Sequence, residues 1–191
     1  MDIKLIKPKH VGTISIEQCI YMRKSVRAFT DNRIEIEKIS QILWAAQGKS
    51  KHRRTVPSAG GTYPLEIFII LKNQGLYHYN FLKNLLILKI QGDLNEKLAQ
   101  ASLNQMFIRD APLNLIICVD YSRTTNRYGK RGKRYVLIEV GHCAQNIHLQ
   151  CIAMGLESVP IGAFKDEQVK LLLNLPHNLD PIYIIPIGYK K

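Results

Sequence analysis

RYVLIEVGHCAQNIHLQCIAMGLESVPIGAF, residues 134–164, is the stretch that decides how the rest of the chain is arranged. Two rows of apolar residues run along the first part of this stretch. Together they predict a long central helix that is buried on nearly all sides. Gly155 is placed to end this helix, because glycine adopts the left-handed conformation freely. The first apolar row has spacings of three and four and consists of Val136, Val140, Cys143, Ile147, Cys151 and Met154.

Between the two apolar rows lies a thin polar line that contains Glu139 and His142. We interpret His142 as a buried core histidine whose partner is Glu139, one helical turn away. His142 and His148 are six residues apart and therefore lie on different helix faces, and H-E-x-x-H is absent, so no metal site is predicted.

Outward from this helix, apolar periodicity and turn residues predict further elements on both sides. The predicted helices cover residues 15–22, 35–47, 93–102 and 166–174, and the predicted strands cover 65–72, 76–80, 85–91, 113–120 and 182–187. Residues 49–56 and 121–133 are expected to be basic loops. The elements do not alternate strictly as βαβ units, which indicates an α+β fold, and we expect one domain over residues 1–191.

The composition is that of a folded globular protein, with 46% hydrophobic and 22% charged residues. No apolar run is long enough to span a membrane and the N-terminus lacks a signal-peptide pattern, so we expect a soluble, cytoplasmic protein. The four cysteines form no CxxC pair, and three lie in apolar runs, as buried thiols do.

A net charge of +12 raises the possibility of a nucleic-acid partner. No helix-turn-helix, zinc finger or aromatic RNA-binding signature accompanies this charge, so nucleic acid is the less favoured interpretation. The cations form two clusters, one at Lys49, Lys51, Arg53 and Arg54 and the other at Arg123, Arg127, Lys130, Arg131, Lys133 and Arg134.

Several common site motifs are missing. The chain has no G-x-G-x-x-G after a strand, no P-loop and no G-x-S-x-G, which argues against a Rossmann dinucleotide site, a P-loop nucleotide site and an α/β-hydrolase.

RKSVRAF at 23–29 brings three cations and a hydroxyl together, and such a group suits a phosphate because arginine supplies forked donors.

Three segments in order, RKSVRAF at 23–29, PSAGGTYP at 57–64 and GLESVPIGAF at 155–164, resemble the nitroreductase-like flavoprotein family. RYGKRGKRY at 127–135 resembles the branch of that family that contains the azoline oxidases of peptide maturation. The resemblance implies a mostly antiparallel central sheet flanked by helices, and a homodimer with flavin mononucleotide (FMN) at the subunit interface.

The resemblance also implies which residues hold FMN. Arg27 is our choice for the donor near N1 and O2, where a positive group stabilises charge on the reduced ring. Residues 57–61 would come from the other subunit, and an N–H near Gly162 would face N5. The full implied set is Arg23, Lys24, Ser25, Arg27, Pro57, Ser58, Ala59, Gly60, Gly61, Pro160, Ile161, Gly162, Ala163 and Lys190.

The resemblance further implies an NAD(P)H-dependent enzyme that passes hydride through flavin N5 to a small acceptor, or one that dehydrogenates an azoline-type peptide substrate. Azoline oxidases use a Lys-Tyr pair as their base, whereas this chain has Arg127 and Tyr128. Arginine stays protonated, so Tyr128 is the remaining proton-transfer candidate. The alternatives are a non-catalytic binding partner in a modifying complex and a basic nucleic-acid-binding protein.

Overall fold

The computed structural model describes all 191 residues, and a seven-stranded sheet runs through its centre. The strand order is β1-β4-β3-β2-β5-β7-β6, and every neighbouring pair is antiparallel. The prediction of an antiparallel sheet within an α+β fold is therefore confirmed. The strands are β1 (Ile3–Lys4), β2 (Leu65–Leu71), β3 (Gly75–Asn80), β4 (Leu85–Gln91), β5 (Leu113–Val119), β6 (Glu157–Ser158) and β7 (Asp180–Gly188).

Seven helices surround the sheet. A capping box joins Ser15 and Gln18 at the start of the first helix, and Gly155 follows the sixth with a φ of +70°, as the sequence predicts. No helix is both long enough and apolar enough to cross a bilayer. The helices are α1 (Ile16–Met22), α2 (Ile36–Gln47), α3 (Asn95–Ala101), α4 (Phe107–Asp110), α5 (Ser122–Tyr128), α6 (Gly132–Ala153) and α7 (Asp166–Leu172).

The central strands are buried on both faces, which explains why their sequences are apolar without alternation. On β2, Ile67 and Ile69 face a core that includes residues of α2 and α6. Phe68 and Ile70 face a second core that includes residues of α3, α4 and α7. The sheet is thus a middle layer with helices on each side.

The central helix α6 is buried on one face, and this corrects the expectation that it is covered nearly all round. Val140 and Ile147 lie in the core, whereas Leu137 and Ile138 are each 49% exposed. His142 is exposed as well, so it is not the core histidine that we expected. The apolar pattern could not distinguish a helix buried in the core from one that leaves an apolar stripe at the surface.

The prediction of a loop at residues 121–133 is also wrong, because most of this segment is helical. α5 covers Ser122–Tyr128 and a 3₁₀ turn covers Gly129–Arg131 before α6 begins. The Asp120 carboxylate accepts a hydrogen bond from the Ser122 N–H at 3.0 Å, and so satisfies one free donor at the start of α5. Many basic and polar residues hid this helix from an apolar periodicity search.

Candidate functional site

Residues 23–29 follow α1 and lie against β6. Val26 and Phe29 are buried and anchor the segment. The Val26 N–H donates to the Ser158 carbonyl at 3.2 Å, and Ser25 pairs with Ser158 in a parallel bridge. Strand pairing with β6 therefore holds the backbone of this basic segment in place.

The polar side chains of this segment are left available. Lys24, Ser25 and Arg27 are exposed and Arg23 is partly buried. None of these cations belongs to an ion pair. The Arg27 guanidinium carbon lies 5.9 Å from the centre of the Phe107 ring, which is its one marked side-chain contact. Cations in such positions keep their donors free for an anionic ligand.

The C-terminus adds one more cation at the same place. Phe29 pairs with Lys190 in an antiparallel bridge, and the Lys191 N–H donates to the Ala28 carbonyl at 3.1 Å. Lys190 is exposed. Residues that are far apart in the sequence thus form one basic strip.

The turn at residues 160–163 lies on the open side of β7. Ile161 is buried and exchanges backbone hydrogen bonds of 2.8 and 3.0 Å with Ile184. Pro160 is partly buried, whereas Gly162 and Ala163 are exposed. The Gly162 N–H makes no hydrogen bond within the chain. We call residues 23–29, 158–163 and 190 the cationic half-site.

Residues 57–61 form a second group together with the end of α5. The Ser58 hydroxyl accepts a hydrogen bond from the Tyr63 N–H at 2.8 Å, and Ala59–Gly61 forms a 3₁₀ turn. Arg127 donates to the Gly60 carbonyl at 3.2 Å. We call residues 57–61 with Arg127 and Tyr128 the glycine half-site.

Gly60 is the position in this group that most favours glycine. Its φ is +61°, and an added Cβ would lie 2.6 Å from the Tyr128 hydroxyl oxygen and 3.0 Å from an Arg127 nitrogen. The Tyr128 ring meets the edge of the Tyr135 ring at 5.2 Å between centres. The hydroxyl of Tyr128 is therefore held against the glycine backbone, where it makes no hydrogen bond within the chain.

Glu139 of α6 is buried beneath the glycine half-site, and the sequence analysis assigned it the wrong partner. Gln47 donates to its carboxylate at 3.4 Å, and Arg54 donates to the Gln47 carbonyl oxygen at 3.2 Å. Burial raises the pKa of Glu139 to about 7, although the Ser58 hydroxyl opposes this shift. Glu139 therefore links α6 to the loop, whereas His142 points to solvent.

His148 and Ser158 support the cationic half-site from inside, and the sequence analysis assigned no role to either. The His148 Nδ1 and the Ser158 hydroxyl lie 2.8 Å apart, and both residues are buried. Burial, with a contribution from the nearby Arg23, lowers the pKa of His148 to about 4, so the ring is neutral. His148 directly follows Ile147 of the apolar row of α6, and this position was the sequence signal that His148 is buried.

Residues 23–29 and Lys190 of the cationic half-site lie near one end of β5, the turn at 160–163 lies beside the middle of β7, and residues 57–61 lead into the other end of the sheet. Phe29 lies against Gly188, beside the end of β5 that begins at Leu113. Residues 57–61 precede Leu65, which pairs with Val119 at the other end of β5. The seven residues of β5 separate these ends by about 20 Å. The structure therefore brings the predicted residues together as two groups within one chain.

Comparison with known proteins identifies the class to which this fold belongs. The model of the Nitroreductase family matches residues 20–189, and the chain belongs to that family. A Methanocaldococcus jannaschii protein described as a candidate nitroreductase is 38% identical, covering 99% of this chain and 98% of the relative. A crystal structure of a candidate nitroreductase from Ralstonia eutropha matches with a TM-score of 0.89 and 27% identity, covering 100% of this chain and 90% of that one.

More distant relatives include a peptide-processing protein and an FMN oxidoreductase. The microcin B17-processing protein McbC of Escherichia coli is 24% identical, in an alignment that covers 75% of this chain and 58% of McbC. The NADPH:FMN oxidoreductase of Vibrio harveyi shares the fold, with a TM-score of 0.70 and 22% identity over 92% of this chain and 69% of that one. The predicted family is confirmed, and the azoline oxidases are distant members of it.

Proposed function

We propose that the protein is an FMN-dependent oxidoreductase that takes hydride from NAD(P)H and passes it to a small acceptor. The observation that supports this most is the cationic half-site, which gathers three distant segments and leaves their donors unpaired. Arg23, Arg27 and Lys190 fit a phosphate and a flavin edge, since each presents a charged donor without an internal partner. When bound, FMN supplies reversible hydride transfer at N5.

The residues around the flavin have separate tasks in this proposal. The Ser25 hydroxyl and Arg23 would hold the polar tail of FMN, and Arg27 would balance negative charge on the reduced ring. The free Gly162 N–H would contact the ring at N5. Tyr128 is the chain's candidate for moving a proton to or from the acceptor, because its hydroxyl makes no other hydrogen bond.

We further propose that the active protein is a homodimer in which each flavin lies between the cationic half-site of one subunit and the glycine half-site of the other. Within one chain, residues 23–29 and residues 57–61 lie near opposite ends of β5, a strand about 20 Å long. Exposed apolar side chains supply a surface for a second copy. They are Leu137 and Ile138 of α6 and Ile16, Ile20 and Met22 of α1, each about half exposed.

Reduction of a small acceptor is a better match than azoline dehydrogenation. Arg127 donates to the Gly60 carbonyl, and a guanidinium does not act as a base because it stays protonated.

The first experiment is a visible spectrum of the purified protein. It is recorded once as purified and once after FMN has been added and the unbound FMN removed by desalting. We expect about one retained flavin per subunit, bleached by NADH or NADPH under anaerobic conditions and restored by a quinone or nitroarene. A protein that retains no flavin in either sample would contradict the proposal and favour the non-catalytic binding alternative.

A mixing experiment tests the shared site. Arg27→Ala and Gly60→Ala each damage one half-site, so each variant alone should retain little FMN. After the two are unfolded and refolded together, heterodimers contain one intact site, and about a quarter of all sites should recover flavin binding. No recovery, with dimers present by light scattering, would mean that both half-sites act on the same flavin from one chain.

A further inference from the structure

A wide, open pocket lies next to the glycine half-site and is strongly basic. Its volume is about 720 Å³, and it shares Gly60, Gly61 and Arg127 with that half-site. No acidic residue lines it. We call it the arginine pocket, and its basic lining residues are Lys49, His52, Arg53, Arg54 and Arg127.

The inner wall of the arginine pocket is fixed by packing. The Arg54 guanidinium carbon lies 3.7 Å from the centre of the Phe81 ring and 4.6 Å from that of Tyr63. A hydrogen bond from Arg54 to Gln47, 3.2 Å long, fixes its orientation. The wall therefore combines a positioned cation with two aromatic rings, a surface to which a flat ring with a negative group can bind.

The outer wall is an ordered turn. Lys49 pairs with Arg54 in an antiparallel bridge, and the Ser50 N–H donates to the Arg53 carbonyl at 2.8 Å. The Arg53 N–H in turn donates to the Ser50 hydroxyl at 3.2 Å. These bonds hold Lys49 and Arg53 at the mouth of the pocket.

The four permanent cations of the pocket, Lys49, Arg53, Arg54 and Arg127, take part in none of the ion pairs of the structure. Arg123, which lies nearby on α5, is by contrast paired with Glu66 and Asp120. Unpaired like charges around one cavity repel each other, and an anion of more than one charge relieves that repulsion. The pocket therefore suits a phosphate monoester carried by an aromatic group.

We propose that the arginine pocket binds the adenosine 2′-phosphate of NADPH and makes NADPH the preferred hydride donor. Adenine can pack against the wall that Arg54 forms with Phe81 and Tyr63, while Arg53 and Lys49 contact the phosphate. The pocket adjoins the glycine half-site, so the nicotinamide end of the same molecule can extend toward the flavin. The choice of a nicotinamide donor rests on the proposed function, whereas binding of the phosphorylated adenosine does not.

Calorimetric titration of the FMN-loaded protein with adenosine 2′,5′-bisphosphate and with 5′-AMP tests the proposal. We expect the bisphosphate to bind at least tenfold more tightly, since its additional phosphate makes charge-assisted hydrogen bonds that 5′-AMP lacks. Arg53→Ala should weaken bisphosphate binding about tenfold, and Arg53→Lys should restore part of it. Lys89→Ala, which removes an exposed cation from β4, should leave both affinities unchanged.

Steady-state kinetics give the second measurement. In Arg53→Ala we expect the KM for NADPH to rise about tenfold while the KM for NADH and both kcat values stay the same. If neither nucleotide reduces the flavin, the proposed function fails, and the titrations still test the pocket.

Equal affinity for the bisphosphate and 5′-AMP, or an Arg53→Ala variant that binds both as the wild type does, would overturn the proposal. Tighter binding of a glutamate-rich peptide than of the bisphosphate would overturn it too and would assign the pocket to a peptide substrate.

Discussion

The cationic half-site and the glycine half-site differ in what holds them in place. In the cationic half-site, strand pairing fixes the backbone, and the side chains of Ser25 and Arg27 extend into solvent without internal partners. In the glycine half-site the backbone of residues 60–61 is exposed, and Gly60 is flanked by the side-chain ends of Arg127 and Tyr128. The proposed function therefore predicts that ligand affinity depends on charge in one group and on shape in the other.

The largest expected effect follows from the left-handed backbone conformation of Gly60 together with the side-chain ends of Tyr128 and Arg127 beside it. Gly60→Ala adds a Cβ 2.6 Å from the Tyr128 hydroxyl in a left-handed conformation, which costs about 1–2 kcal/mol even without a clash. We expect FMN affinity to fall about 100-fold in fluorescence titrations. Gly61→Ala is the matched control, because its φ is +68° but the nearest atom would be 3.9 Å away. Equal losses in the two variants would show that backbone strain alone, and not crowding, explains the preference for glycine.

Arg27→Ala should have the next largest effect, and it should act through charge. Loss of one charge-assisted donor weakens FMN binding about 10- to 100-fold, and the flavin potential should fall because the reduced ring loses a positive neighbour. The melting temperature of the apoprotein should stay within about 1 °C of the wild type, since an exposed, unpaired side chain contributes little to folding. Unchanged affinity and potential would show that Arg27 has no contact with the flavin.

The stability of the protein should depend on pH through Glu139, which lies beneath the glycine half-site and not beneath the cationic half-site. Burial raises the pKa of this carboxyl to about 7, so the folded state holds a proton that the unfolded state releases above about pH 4.5. Stability is therefore lost as pH rises from about 5 to 8, by at most about 3 kcal/mol. Glu139→Gln should reduce the fall in apoprotein melting temperature over this range by several degrees, whereas Glu96→Gln, on the exposed face of α3, should not. Identical pH profiles for Glu139→Gln and the wild type would contradict the raised pKa.

Lys190→Ala should have the smallest effect. An exposed lysine contributes at most about 1 kcal/mol to binding of an anion at the surface, which corresponds to roughly a fivefold loss of FMN affinity. The loss should shrink as salt rises from 50 to 300 mM, because the interaction is screened. A loss independent of salt would mean that the lysine acts through its backbone pairing with Phe29.

Much of the fold could be predicted from the sequence because its signals are local. The capping box at Ser15, the glycine at 155 and the apolar runs of β2 and β5 each specify an element within a few residues. α5 was missed because its sequence, SRTTNRY, has no apolar stripe. Its start depends on Asp120, which accepts the Ser122 N–H once β5 has positioned it.

The candidate site was likewise predictable where its signals are local and not where it depends on packing. The sequence by itself determined which residue types are present, namely the cations and hydroxyl at 23–29, the paired glycines and the turn after α6, because these lie in short contiguous motifs. Only the tertiary structure decided which of them meet. Pairing of Ser25 with Ser158 and of Phe29 with Lys190 joins segments more than 130 residues apart, and the length of β5 keeps residues 57–61 away from them. The partner of Glu139 and the grouping of Arg53, Arg54 and Arg127 also depend on how α2, α5 and α6 pack, which no local pattern encodes.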